Sequence, residues 1–211
     1  MVVSRVPSIL VGVCAASLAI TLTACGSDSD TASPATTTSP TMSEVFMPSL
    51  TDTAPPQASP CPSAPPDGGG TPEWTLTGAT GSIAVTGPTE TTAPLVDVQA
   101  PFSVTETQVH TLQAGDGPVV ADTATVLVCY QGVNGRDGSV FDSSYQTGAP
   151  VDFPLDGVIT GFQKAIAGQN VGSTVAVAMS PADGYPQGQP AAGIQPGDSL
   201  IFAIKILDAA S

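Results

Sequence analysis

A chain of 211 residues has room for one ordinary domain with appendages. Only 10% of its residues are charged, the formal net charge is −14, and the basic side chains are Arg5, Arg136, Lys164 and Lys205. That scarcity of Lys and Arg excludes the electrostatic footprint of a nucleic-acid binder and leaves no charge-based attraction to anionic lipid.

The N-terminus supplies a different route to a membrane. "MVVSRVPSILVGVCAASLAITLTAC" has one basic residue, Arg5, and then an apolar run from about Val6 to Ile20, the pattern of a secretory signal. The run is short for a spanning helix, which needs roughly 20 apolar residues. It ends in "LTAC", residues 22–25, which resembles a bacterial lipobox. Residues 1–24 are therefore expected to be a lipoprotein signal peptide. Cys25 is then the lipidated residue, holding the chain on the extracytoplasmic face of the cell membrane. The alternative is a transmembrane anchor that ends in a cysteine by chance.

From Cys25 to residue 72, Ser, Thr, Pro, Ala and Gly dominate and no apolar periodicity survives. Such a segment cannot bury enough apolar area to offset an ordering cost of ~1–2 kcal/mol per residue, so a disordered tether is expected. Cys14 leaves with the signal and Cys25 is acylated, which leaves Cys61 in the tether and Cys129 in a strand. They could pair in an oxidising compartment, but with one in a Pro-rich tether and the other in a strand both are expected to be unpaired. Residues 73–100 mix short β-branched runs with Gly and Pro, which predicts an N-terminal β extension of one or two strands anchored by Trp74.

Beyond Pro101 the pattern sharpens. "ETQVHTLQAGDGPVV" reads as a strand running into a Gly-Asp-Gly turn. "DTATVLVCY" alternates, with Val126, Val128 and Tyr130 on one face and Leu127 and Cys129 on the other. "NGRDG" is a turn and "SVFDSSY" continues the sheet. "GFQKAIAGQ" is the convincing helix, with Phe162 and Ile166 one turn apart and Gly168 placed to stop it. "GSTVAVAMS" and "SLIFAIKIL" are two more strands. The predicted class is α+β, a largely antiparallel sheet with one short helix laid against it.

The chemistry is constrained by what is missing. The chain has one histidine, His110, expected to be structural or exposed, and no partner set for a metal. It has no G-x-S-x-G context, no P-loop and no Rossmann fingerprint. Cys129 lacks a nearby cation and reads as a small hydrophobe. An enzyme built on this chain works without nucleophile, metal, cofactor or general base. Rotation about an Xaa-Pro bond is a reaction that permits this. Its barrier of ~18–20 kcal/mol comes from amide resonance, and no bond is made or broken.

The run from "VLVCYQGVNGRDGSVFDSSY" through "VITGFQKAIAG" and "DGYPQGQPAAGIQPGDSLIFAIKIL" resembles FKBP-type peptidyl-prolyl cis-trans isomerases. The likeness extends from about residue 105 to the C-terminus. It rests on ordered pieces: Y-x-G, G-x-x-F-D-S-S, V-I-x-G-aromatic, a Tyr loop and L-x-F. The resemblance implies an isomerase domain over 101–211, with a five- or six-stranded antiparallel sheet wrapped around a short helix. It implies that Tyr130 and Phe141 form one wall of a pocket, with Asp142 beside the Tyr130 hydroxyl. Val158 and Ile159 form the rim, with the Ile159 amide as a donor, and Val151 is a further substrate-binding residue. Phe162 is the floor, Tyr185 the donor hydroxyl above it, and Ile194 and Phe202 the far side.

Tyr185, Asp142 and Phe162 are the implied catalytic residues, while Phe153, Ile166 and Leu200 are expected to be ordinary core. Several positions depart from the family pattern: Phe162 where Trp is usual, Val151 where an aromatic is frequent, Pro186 where Gly follows the Tyr, Thr147 where some members have Arg, and Gln195 where Pro is favoured. The implied partners are proline-containing exported polypeptides and macrolide immunosuppressants, and the expected state is a monomer. The alternative is an FKBP-like binding or chaperone module with weak or no isomerase activity.

Overall fold

The protein is described by a computed structural model over residues 61–66, 68 and 70–210. The expected signal peptide, Cys25 and most of the expected tether lie outside the described residues. Nine strands and one α-helix follow in chain order among the described residues: β1 Trp74–Thr77, β2 Thr80–Thr86, β3 Leu95–Ser103, β4 Gln108–Gln113, β5 Thr125–Asn134, β6 Val140–Ser143, β7 Val151–Pro154, α1 Thr160–Ile166, β8 Thr174–Met179 and β9 Leu200–Ala210.

Two antiparallel sheets result. The larger runs β4-β8-β9-β5-β6, with β7 also paired to β5. β5 and β9 form its spine, in register from Thr125↔Ala210 to Asn134↔Leu200 with one irregularity at Leu127/Val128. The smaller is a β1-β2-β3 meander. Residues 73–100 therefore supply three strands rather than one or two, and the third continues to Ser103.

Side-chain alternation on the central strands explains the layering. Along β8, Val175, Val177 and Met179 point to one side, as do Leu200, Phe202, Ile204 and Ile206 of β9 and Val126, Val128 and Tyr130 of β5. This face packs on Phe162, Ala165 and Ile166 of α1. The opposite face carries smaller residues, Ala176, Ala178 and Ala203, together with Val133 and Ile201. Small side chains there let the meander approach, and Ile83, Val85 and Phe102 complete that second core. Covered on both faces, β8 is buried along its whole length. Trp74 packs at the edge of this layer and stacks on His110 of β4, centroids 5.5 Å apart and planes within 9°.

Helix α1 ends as its sequence suggests. Gly168 sits in the left-handed region at φ 79°, and the Ala167 amide still donates to the Gln163 carbonyl.

The cysteines overturn the expectation of unpaired thiols. Cys61 and Cys129 form a disulfide. Cys129 lies on the face of β5 opposite Tyr130, in a small buried cluster with Cys61, Ala93 and Tyr145. The bond staples residues 61–66 across the back of the sheet, where Ala93 N–H donates to the Ala64 carbonyl at 2.8 Å. A Pro-rich stretch with no apolar periodicity is thus held by a covalent link and a β-bridge between Ala64 and Thr92, and Cys129 has no thiol to act as a nucleophile.

Candidate active site

On the helix side of the large sheet lies a cleft of about 400 Å³. It is lined by Tyr130, Phe141, Asp142, Phe153, Gly157, Val158, Ile159, Phe162, Tyr185 and Phe202. Its parts come from distant elements: β5 brings Tyr130, β6 brings Phe141 and Asp142, β9 brings Phe202 and α1 brings Phe162.

Phe162 is 5% exposed at the centre of the rings. Tyr130, Phe153 and Phe202 each meet it nearly edge-on, with centroids 5.9, 5.8 and 5.5 Å away. Phe141 meets Phe202 the same way at 5.6 Å. Edge-to-face contacts of this kind contribute ~0.5–1.5 kcal/mol beyond area burial and hold each ring at one angle. The hollow is therefore preformed and hydrocarbon-walled.

Gly132 makes two of these contacts possible. A Cβ there would lie 2.6 Å from Phe141 Cζ and 2.8 Å from Phe202 Cε1. The Y-x-G spacing thus leaves backbone where two rings must close. Gly132→Ala is expected to force both rings outward, lowering stability by ~1–3 kcal/mol, as overpacking does. Thermal unfolding would register the loss, and the Phe141 and Phe202 ring resonances should shift.

Two polar groups border the hollow and are already engaged with each other. Tyr130 Oη donates to Asp142 Oδ2 at 2.6 Å. Burial, and then the hydrogen bond and charge of Asp142, push the Tyr130 phenol well above its usual range, so it stays a protonated donor. Thr147 donates to the Ser144 carbonyl at 3.0 Å. Two other donors have no such commitment. Among the described residues neither the Tyr185 hydroxyl nor the Ile159 amide finds an acceptor. The Ile159 carbonyl, by contrast, accepts from Phe162 and Gln163 at 3.0 and 3.2 Å and starts α1.

Tyr185 lines the cleft even though Pro186 follows it, and the turn closes through Gly188 N–H to the Tyr185 carbonyl at 2.8 Å. Two residues earlier, Asp183 Oδ2 accepts from Thr107 Oγ1 at 2.6 Å and from Lys164 Nζ at 2.8 Å. The hydrogen bond from Lys164, followed by that from Thr107, holds this carboxyl below the usual carboxylate range. Its folded value lies below its unfolded one. The clamp's stability is therefore present above the unfolded range and lost as pH falls through the folded value.

Of the implied pocket residues, Tyr130, Phe141, Asp142, Val158, Ile159, Phe162, Tyr185 and Phe202 line one cleft. Val151 and Ile194 do not. Ile194 is 2% exposed within the main core, and Val151 packs against that core. Phe153, expected to be ordinary core, lines the cleft instead. The signal was present in β7, where Val151 and Phe153 alternate with the exposed Asp152 and Pro154 and so share one face. Ile166 and Leu200 are core, at 0% and 1% exposure.

Known proteins resemble the part of the chain that carries this cleft. The family described as FKBP-type peptidyl-prolyl cis-trans isomerase matches residues 117–207. A probable FKBP-type peptidyl-prolyl cis-trans isomerase of Haemophilus influenzae is 38% identical over 95 residues, covering 45% of this chain and 39% of that protein. The FKBP-type peptidyl-prolyl cis-trans isomerase FkpA of Escherichia coli is 37% identical over 98 residues, covering 46% and 35%. The chain thus spans less than half the length of these two relatives. A probable FK506-binding protein of Corynebacterium glutamicum is 34% identical over 96 residues, which cover 45% of this chain and 80% of that one. With four-fifths of that compact relative spanned, and the ordered motifs gathered around one aromatic cleft, the chain belongs to the FKBP-type peptidyl-prolyl cis-trans isomerase family.

Proposed function

We propose that this protein is a peptidyl-prolyl cis-trans isomerase that assists the folding of exported polypeptides. The observation that carries the reading is a preformed aromatic cleft lined by Tyr185 and Ile159, whose hydroxyl and amide find no acceptor among the described residues. A planar amide is strongly polar because of its resonance, and the twisted amide has lost much of that polarity. A water-excluded, hydrocarbon-walled hollow therefore favours the twisted form over either planar one. The proline ring rests on Phe162 between Tyr130 and Phe202. The Ile159 amide holds a flanking carbonyl, and Tyr185 donates to a carbonyl whose position changes during rotation. Asp142 keeps the Tyr130 hydroxyl turned aside, so the wall presents carbon to the imide. Macrolides fit the same hollow as rigid, proline-like ring systems.

A lipid anchor at Cys25 would place the domain outside the cell membrane. The Cys61–Cys129 disulfide supports that placement, since such bonds persist in oxidising compartments. Xaa-Pro bonds isomerise over tens to hundreds of seconds unaided, roughly the time a folding chain would otherwise wait. A second reading, a binding module with weak turnover, is favoured by Phe162, which offers less ring area than indole and no N–H.

A protease-coupled assay on an Xaa-Pro peptide tests the reading. The native protein should exceed the uncatalysed rate. Tyr185→Phe, losing one hydrogen bond of ~1 kcal/mol, should turn over about fivefold more slowly. Tight binding of the peptide with no acceleration would select the second reading.

A further inference from the structure

The loop that presents Tyr185 has no regular secondary structure at that point, yet a hydroxyl that donates to a moving carbonyl must be held close to its productive position. Something other than a helix or a strand has to fix it. Asp183 makes contacts suited to that task. Its backbone carbonyl accepts the Gly161 amide of α1 at 2.9 Å, directly beside Phe162. Its Oδ2 accepts from Lys164, one turn further along the same helix, and from Thr107 just ahead of β4. Thr107 is in turn held by Ser180, whose amide donates to Thr107 Oγ1 at 3.1 Å. The Asp183 amide closes back on the Ser180 carbonyl at 3.1 Å. One residue thus ties the loop to the helix that carries the floor and to the sheet edge.

We propose that Asp183 is a positioning residue that sets the distance between the Tyr185 hydroxyl and the Phe162 ring. It does so by clamping the loop to Lys164 and Thr107. The inference rests on the isomerase reading of the cleft. The ion pair itself is half-exposed at Lys164 and contributes little to global stability. Its effect is geometric: without the carboxylate, Asp183 loses both of its side-chain anchors, and the loop keeps its backbone contacts and the Ser180–Thr107 bond. Asp183→Asn retains an acceptor for Thr107 and should stay close to native. Asp183→Ala removes both contacts.

A double-mutant cycle separates positioning from general support. Asp183→Ala should lower kcat about fivefold at most, no more than Tyr185→Phe itself does, with KM little changed, the signature of an interaction realised in the transition state. In a Tyr185→Phe background the same substitution should have almost no further effect, because the hydroxyl it aims is gone. An equal loss in both backgrounds overturns the proposal and makes Asp183 a purely structural residue. So does an Asp183→Ala protein as active as the native one. If Asp183→Ala fails to fold, Lys164→Met combined with Thr107→Val carries the same cycle and the same two outcomes. A native protein without isomerase activity overturns the isomerase reading, and this inference with it.

Discussion

Phe162→Ala should abolish most of the isomerase activity, lowering kcat/KM by about 100-fold, equivalent to ~2.7 kcal/mol of transition-state stabilisation. Phe162 is the ring against which Tyr130, Phe153 and Phe202 are all set edge-on, so its removal takes away the floor and the restraint on three walls together. The cavity left behind also costs ~3–5 kcal/mol of stability in a typical core. Activity must therefore be measured where circular dichroism shows the variant still folded. Phe162→Leu supplies the control, because it fills the volume and keeps the fold but presents no ring face. It should melt near the native temperature while losing activity well beyond its loss of stability. Phe162→Trp is expected to move in the opposite direction and raise turnover. A Phe162→Leu protein with native kcat/KM would show that the floor ring has no part in the reaction.

The aromatic cleft could be anticipated because its signals are local. Alternation along "TVLVCY" assigns Tyr130 to the helix side, and the spacing of Phe162 and Ile166 assigns both to one face of α1. Family motifs then bring Phe141, Asp142 and Tyr185 to the same place. Phe153 was harder, because the alternation of β7 gives its inward face but not whether that face meets the core or the cleft. The three-stranded meander was legible only in part. Its strands are interrupted by Gly and Pro, and the clue to its docking lies elsewhere, in Ala176, Ala178 and Ala203, whose smallness has meaning only once a second layer is known. Asp183 gave no signal at all, since its partners Thr107 and Lys164 are far away in the chain and meet only in the folded state.

The disulfide escaped for the same reason, and it carries the second large prediction. Replacing Cys61 and Cys129 together by serine should destabilise the protein by about 4 kcal/mol, because the bond closes a loop of 68 residues in the unfolded chain. For a chain of this size the melting temperature should fall by ~10 °C. The loss should spread beyond the staple. Cys61 Sγ lies 3.4 Å from Ser144 Oγ, which accepts the Tyr130 amide at 2.9 Å, so the back of the sheet is linked to the wall of the cleft. Reduction of the native protein should produce the same drop in melting temperature without any mutation. An unchanged melt after complete reduction, with both thiols titratable, would remove the disulfide from the account of stability.

An apolar hollow lined by Tyr185 should accept an Xaa-Pro amide and ease its rotation. Exchange spectroscopy on a Xaa-Pro peptide tests it most directly, with the full-length protein at catalytic concentration. Uncatalysed interconversion takes tens of seconds or longer and gives no exchange signal on the magnetisation timescale. Cis–trans exchange peaks should appear with the protein and vanish when a macrolide fills the cleft. Peptide spectra that stay free of exchange at every protein concentration would contradict it.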